Sequence, residues 1–257
     1  MNPSPALVLE LFPGVSLFGH AFEELGYCVV RGPDPIFSSL SRIEGFRPPS
    51  GRFEGIIGGP PCQQFSRLAN LVRHNGHTVA PNLIPEFERV VVEAQPEWFL
   101  MENVQAAPLP SVSGYQVHAQ LVRDVWVGGE TSRLRRFSFG TRDGRALEIV
   151  TLALHSPNPL PAVLACGGTW VPVKLGGSGK PKKGNGRLWG DKSAAYFHAA
   201  KRAQGLPADF DIESFTVTAK IKAIGNGVPL AMGRAVAKAV NQAMQPGPGL
   251  LPCARYG

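Results

Sequence analysis

Apolar residues along the chain gather into short runs separated by Gly- and Pro-rich turns, and unbroken runs alternate with helically spaced ones. Residues 6–12, apolar except for Glu10, predict the first buried strand. Pro13-Gly14-Val15-Ser16 interrupts it, and residues 17–25 resume at helical spacing, with Phe18, Ala21, Phe22 and Leu25 on one face and Gly26 as the stop. Residues 27–30 predict a second strand, with Cys28 read as a core residue. Residues 36–53 are polar and proline-punctuated, which predicts a loop. Gly55-Ile56-Ile57 predicts a buried parallel strand, residues 83–94 an amphipathic helix through Leu83, Phe87, Val90 and Val91, and residues 98–101 another buried strand. Regular structure resumes over 115–126. Basic and apolar residues then alternate over 132–140, as in a strand, which puts Arg133 and Arg135 on one face. Residues 193–205 and 230–244 predict helices. Strands alternating with helices predict an α/β fold with a Rossmann-like sheet.

Composition narrows the class. A chain of 257 residues with 44% hydrophobic content fits one medium α/β domain with room for a small subdomain. No apolar run approaches the roughly 20 residues of a membrane span. Residues 1–5 lack the basic start and apolar stretch of a signal peptide, so a cytoplasmic protein is expected. Cys28, Cys62, Cys166 and Cys253 stand far apart without a CxxC pair, which argues for reduced thiols and against a zinc site; no metal is expected. An excess of 26 Lys+Arg over 19 Asp+Glu points to a polyanionic partner. The Gly/Pro-rich segment 142–192 is also basic, with Lys174, Lys180, Lys182, Lys183, Arg187 and Lys192 interleaved with Trp170 and Trp189. Cationic loops interleaved with aromatics suit phosphate contact and base stacking, and a solvated insertion has the same composition.

The candidate chemistry sits at the turns. Gly58-Gly59-Pro60-Pro61-Cys62-Gln63-Gln64-Phe65-Ser66 ends the third strand and presents one cysteine among polar neighbours. A thiolate held at the carboxyl edge of an open α/β sheet is a sensible nucleophile, whereas a free core cysteine is the competing reading. Glu102-Asn103-Val104 ends the fourth strand. A carboxyl placed there is costly to bury ionised, and kept protonated it can donate a hydrogen bond to a ring nitrogen; a helix cap or a paired structural Glu is the alternative. Two guanidinium groups on one face, Arg133 and Arg135, suit a phosphate and a carbonyl oxygen, and a solvated edge strand fits equally. The first strand, its Gly turn and the following helix form a nucleotide or nucleoside cradle, with Asp34 after the second strand where such folds bind ribose hydroxyls. Residues 67–82 read as a mobile loop beside the site, in which His74 and His77 are solvated rather than catalytic.

These residues, taken in order, resemble the C5-cytosine-specific DNA methyltransferases. The resemblance rests on Leu9-Glu10-Leu11-Phe12-Pro13-Gly14, Gly59-Pro60-Pro61-Cys62-Gln63, Glu102-Asn103-Val104, Arg133-Leu134-Arg135, Gln204-Gly205-Leu206-Pro207 and Gly225-Asn226-Gly227-Val228-Pro229. It implies an S-adenosyl-L-methionine-dependent methyltransferase of compact phage or restriction-modification type. The chain then divides into a catalytic and cofactor-binding core (1–141), a reduced target-recognition region (142–192), a return to the core with a C-terminal helix (193–245) and a flexible tail (246–257). Cys62 would add to cytosine C6, Glu102 would hydrogen-bond N3 and the exocyclic amine, Arg135 would bind the O2 edge, and Arg133 would brace a phosphate or the closed loop. The target base must be flipped out of double-stranded DNA. For the cofactor the resemblance implies Phe12 against adenine, Gly14 at the methionine end, Asp34 on the ribose, and Pro60, Leu83, Asn226 and Val228 as walls. Arg42 stands where an adenine-binding Asp is usual, with Glu44 nearby as the candidate. Gln63, Ser66, Arg67, Lys174, Lys182, Lys183 and Arg187 are expected to meet DNA, with the protein acting as a monomer. Departures from the pattern are Glu10 for Asp, Ser16-Leu17 for Gly-Gly, and Thr131 for Gln. Methylation of RNA cytosine and a weakly active DNA-binding relative are the alternatives; thymidylate-synthase-like chemistry lacks this set of motifs.

Overall fold

The computed structural model describes residues 6–36, 40–65, 81–152, 159–160, 162–163 and 194–245. Six strands form one sheet: β1 (Leu7–Leu11), β2 (Cys28–Arg31), β3 (Gly55–Gly58), β4 (Trp98–Asn103), β5 (Gln116–Arg123) and β6 (Leu134–Thr141), in the order β2-β1-β3-β4-β6-β5. The first four are mutually parallel, and β6 runs antiparallel to both its neighbours. Among the described residues five helices accompany the sheet: α1 (Leu17–Glu23), α2 (Ile84–Ala94), α3 (Ala194–Ala203), α4 (Val217–Asn226) and α5 (Leu230–Met244). No helix among the described residues is long and apolar enough to cross a membrane.

Strand alternation sorts the sheet into two cores. Val8, Ile57, Trp98, Leu100, Phe137 and Phe139 face α1 and α5, where they meet Phe18, Phe22, Val236 and Val240. Leu9, Leu11, Ile56, Phe99 and Met101 face α2 and meet Phe87, Val90 and Val91. β3 and β4 are buried along their whole length, as continuous apolar runs require. Two glycines let aromatic rings lie across the ladder. A Cβ on Gly55 would come 2.1 Å from the ring of its register partner Trp98, and one on Gly140 would come 2.3 Å from Phe99. A third cluster joins α3 and α4 through Phe197, Ala200, Ile221 and Ile224, and takes in Leu17 from α1.

Several expectations need correction. Cys28 is exposed, because β2 is an edge strand paired on one side only. Leu25 is 42% exposed rather than on the buried face of α1. It falls in the turn closed by Gly26 at φ +88°, where Gly26 N donates to Glu23 O and Tyr27 N to Phe22 O. Helix α4 was not foreseen.

The topology also decides where chemistry can gather. β1, β3 and β4 end on the same edge, and the reversed β6 starts there. Residues just before and at the start of β6 therefore stand beside the last residues of β4.

Candidate active site

The loop after β3 is held close to its neighbours. A Cβ on Gly58 would come 2.7 Å from the Leu11 carbonyl, and one on Gly59 would come 2.9 Å from Glu102 Oε2. The buried Asn103 ties this loop to the end of β4, since its Nδ2 donates to Pro60 O (3.2 Å) while its Oδ1 accepts from Val104 N (2.8 Å). Cys62 is thereby presented half-buried at the head of a short helical turn, its carbonyl accepting from Phe65 N at 3.0 Å. Burial pushes the Cys62 thiol up from its ordinary value, and the negative charge of Glu102 pushes the same way. The positive charges of Arg135 and Arg133 pull down and are outweighed.

Glu102 is nearly buried, with Oε1 2.6 Å from Arg135 Nε, a charge pair rather than an aligned hydrogen bond. By strand parity Glu102 and Arg135 lie on the α1/α5 side of the sheet. Arg133 is more deeply placed. Its Nη1 donates to Val163 O (3.1 Å) and Gly225 O (2.9 Å), so its guanidinium braces the protein's own loops rather than an exposed phosphate. Burial, then the like charge of Arg135, pulls its pKa down to about 9.

Two residues outside the expected site hold this arrangement. Asp124, in the turn after β5, accepts from Thr131 N (3.0 Å) and Thr131 Oγ1 (2.7 Å), fixing the entry to β6 just before Arg133. Both are fully buried, and burial raises the Asp124 carboxyl from its ordinary value. Gln204 Nε2 donates to Ile224 O, and Leu230 N donates to Gln204 O (3.0 Å). This stitches the 204–207 motif to the 225–229 motif. Thr131 was legible as a departure from the family pattern; Asp124 had no sequence signal.

The loop from β1 to α1 carries three alternating left-handed residues, Phe12 (φ 55), Gly14 (φ 51) and Ser16 (φ 57). For the two that are not glycine this costs about 1–2 kcal/mol each. Gly14 N donates to Asp34 Oδ2 (2.9 Å), whose other oxygen accepts from Ile36 N (2.8 Å), so Asp34 joins the first loop to the end of β2. A Cβ on Gly14 would find nothing within 4 Å, which leaves open space at the loop tip where a cofactor is expected. Phe12 and Leu83 pack, half-buried, against the same α2-side core, and Pro60 is buried beneath the Cys62 loop. Glu44 lies exposed on a short turn, Asn226 lies exposed at the end of α4, and Val228 is buried in the α1/α5-side core. Gln63 is exposed beside Cys62. Ser66, Arg67, Lys174, Lys182, Lys183 and Arg187 lie outside the described residues, as do His74, His77, Trp170 and Trp189.

A family model described as C-5 cytosine-specific DNA methylase matches residues 27–162. The chain belongs to this family. Within the methylases, it is 34% identical over 110 residues to Type II methyltransferase M.HgiDI of Herpetosiphon aurantiacus, covering 38% of this chain and 34% of that protein. It is 32% identical over 106 residues to M.SacI of Streptomyces achromogenes, covering 35% of this chain and 27% of that one. The aligned part thus spans about a third of these relatives' own length. In fold, 94% of the chain superposes on 99% of the Entamoeba histolytica methyltransferase EhMeth with a TM-score of 0.61 at 11% identity. A putative DNA modification methyltransferase encoded within an E. coli prophage gives 0.55 at 17% identity, with 93% and 99% covered. At such identities the likeness establishes the methyltransferase fold.

Proposed function

We propose that this methylase transfers a methyl group from S-adenosyl-L-methionine to C5 of a cytosine flipped out of double-stranded DNA. The observation that carries the reading is the convergence of Cys62, Glu102 and Arg135 at one sheet edge, from β3, β4 and β6. Cytosine C5 is a poor nucleophile. Addition of the Cys62 sulfur at C6, with a proton passed from Glu102 to N3, leaves an enamine whose C5 carries the displaced electron pair. S-adenosylmethionine, when bound, supplies an electrophilic methyl group to such a carbon. Loss of the C5 proton to water, return of the N3 proton to Glu102 and expulsion of the Cys62 thiolate then restore the ring.

The electrostatics of the edge suit this order of events. At rest the Cys62 thiol is raised, partly by the Glu102 charge. A protonated Glu102, poised to donate to N3, no longer opposes ionisation of the thiol, and Arg133 and Arg135 then favour the thiolate. Arg135 is placed to exchange Glu102 for the O2 edge of the ring, and Arg133 to hold the frame. Phe12, Gly14, Asp34, Pro60 and Leu83 would hold the cofactor around the open loop tip. The base-flipping step follows from the target atom being inaccessible inside a duplex. The likeness to Type II methyltransferases supports a restriction-modification setting, and the excess of basic residues suits DNA.

The test is transfer of radiolabelled methyl groups to duplex DNA, tRNA and dCMP side by side, with a second arm using DNA containing 5-fluorocytosine. Label in DNA alone, with a denaturant-resistant protein–DNA adduct, is the expected result. Label in tRNA alone rejects the substrate assignment, and absence of an adduct from an active enzyme rejects the Cys62 intermediate.

A further inference from the structure

Glu10 is the one acidic residue within β1, and it points away from water. Only 2% of it is exposed, and its two oxygens take donors from the turn that follows: Ser16 Oγ donates to Oε2, and Gly19 N donates to Oε1 at 2.9 Å. Ser16 stands at the N-cap position of α1, yet its hydroxyl makes no cap bond to the helix and turns to Glu10 instead. It does so in the left-handed region, where glycine would sit without strain. Gly19 is shaped to the same carboxyl, since a Cβ there would come 2.3 Å from Oε2. The charges nearest to Glu10 are Arg31 on β2 and Glu23 on α1, which pair with each other at 3.3 Å. Among the described residues Glu10 therefore has neutral donors to both its oxygens and no cation paired with it.

We propose that Glu10 and Ser16 act as one positioning unit, a buried carboxyl–hydroxyl lock that sets the shape of the Phe12–Ser16 loop and thereby its affinity for the nucleoside part of the cofactor. The proposal rests on the reading of that loop as the cofactor site. The lock lies directly beneath Phe12 and Gly14 in sequence, and Asp34 fixes the same loop from the side of β2. A serine kept in a conformation that favours glycine is explained by the bond its hydroxyl makes. Burial raises the Glu10 carboxyl to about 7, so the lock changes protonation state near neutral pH. Ionised, both oxygens accept; protonated, one must donate, and the Ser16 hydroxyl has to turn its own proton elsewhere.

Isothermal titration with S-adenosylhomocysteine tests this on the full chain. Ser16→Gly should weaken binding about tenfold, the worth of one buried hydrogen bond, while leaving the melting temperature roughly unchanged, because relief of the left-handed strain offsets the lost bond. Glu10→Asp, one methylene shorter, should weaken binding to a similar degree, and the double variant should be no worse than the weaker single. Glu10→Gln can accept from Gly19 N and donate to Ser16 Oγ. It should keep binding within about threefold and lack the dependence of affinity on pH between about 6 and 8 that is expected of the wild type. Additive losses in the double variant, or losses that only track melting temperature, overturn the lock. Wild-type protein that binds no S-adenosylhomocysteine overturns the cofactor reading itself, which is a different result from variants that bind as the wild type does.

Discussion

Glu10 and Glu102 stand near the carboxyl ends of β1 and β4, the two strands that flank β3, and both point to the α1/α5 face of the sheet. Both are nearly buried, yet they are held by opposite means. Glu10 is met by a hydroxyl and a backbone N–H, Glu102 by the guanidinium of Arg135. Neutral donors fix a direction without fixing a charge, so a carboxyl held that way is suited to keeping a loop in shape. A cation beside a carboxylate makes the charge itself matter, because any proton that arrives on Glu102 is felt by Arg135 and by Cys62. One residue type is thus held twice at the same sheet edge, once by neutral donors and once by a cation.

The largest test of that division falls on Cys62. Cys62→Ser should lower methyl transfer by at least about a thousandfold, since a hydroxyl is far less ionised and less nucleophilic than a thiol near neutral pH. Titration of S-adenosylhomocysteine should be unchanged in the same variant. A parallel loss of cofactor binding would show that the Glu10 and Glu102 regions of that edge are not separable.

Glu102→Gln should cut kcat by about a hundredfold, since the amide can donate a hydrogen bond but supplies no proton to N3. It also has a readout without substrate. The Glu102 charge raises the Cys62 thiol, so removing it should shift the pH profile of iodoacetamide alkylation toward lower pH. A profile moved to higher pH would mean that Arg135, freed from its partner, had left the site.

Glu10→Gln should behave differently, with catalysis largely kept and stability altered. Glu10 ionises at about 7 in the folded chain against 4.5 for the unperturbed group. The folded state therefore holds its proton more tightly, and wild-type stability that is full below about pH 4.5 is lost as pH rises to about 7. The glutamine variant carries no such loss. Its advantage over the wild type should grow across that window by roughly 3 kcal/mol and level off above it, read as urea midpoints from pH 5 to pH 8. A difference independent of pH would place the ionisation elsewhere.

The sequence showed the positions of these groups better than their partners. The parallel strands were legible because burial on both faces leaves apolar runs such as residues 98–101 and, but for Glu10, residues 6–12. Cys28 was misread because a strand's own residues do not say whether it lies at an edge. Helix α4 was missed because Val217, Ala219, Ile221 and Ala223 alternate with Thr218, Lys220 and Lys222, a strand-like period on a segment that Thr216 caps as a helix. Cys62, Glu102 and Arg135 each end or begin a strand at a marked turn, so their meeting followed from topology. Glu10 and Thr131 were visible only as departures. What each departure contacts, Ser16 in one case and Asp124 in the other, depends on turn geometry that periodicity does not encode.

Thr131→Val is the smallest of the expected effects and probes the frame behind the reactive carboxyl. The substitution keeps volume and removes the hydroxyl that donates to Asp124 Oδ2, leaving that oxygen the bond from Thr131 N. Asp124 is fully buried, so the lost donor should cost about 1–2 kcal/mol of stability. The burial that raises the Asp124 carboxyl is then opposed by one donor fewer, which moves its pKa further up. The entry to β6 carries Arg133, whose bonds to Val163 O and Gly225 O anchor it independently, so most of the geometry should survive. A loss of kcat of only a few-fold is therefore expected, with KM for DNA and affinity for S-adenosylhomocysteine unchanged. A loss as large as that of Glu102→Gln would show that the Asp124–Thr131 contact, rather than the Arg133 anchors, sets where Arg135 meets Glu102.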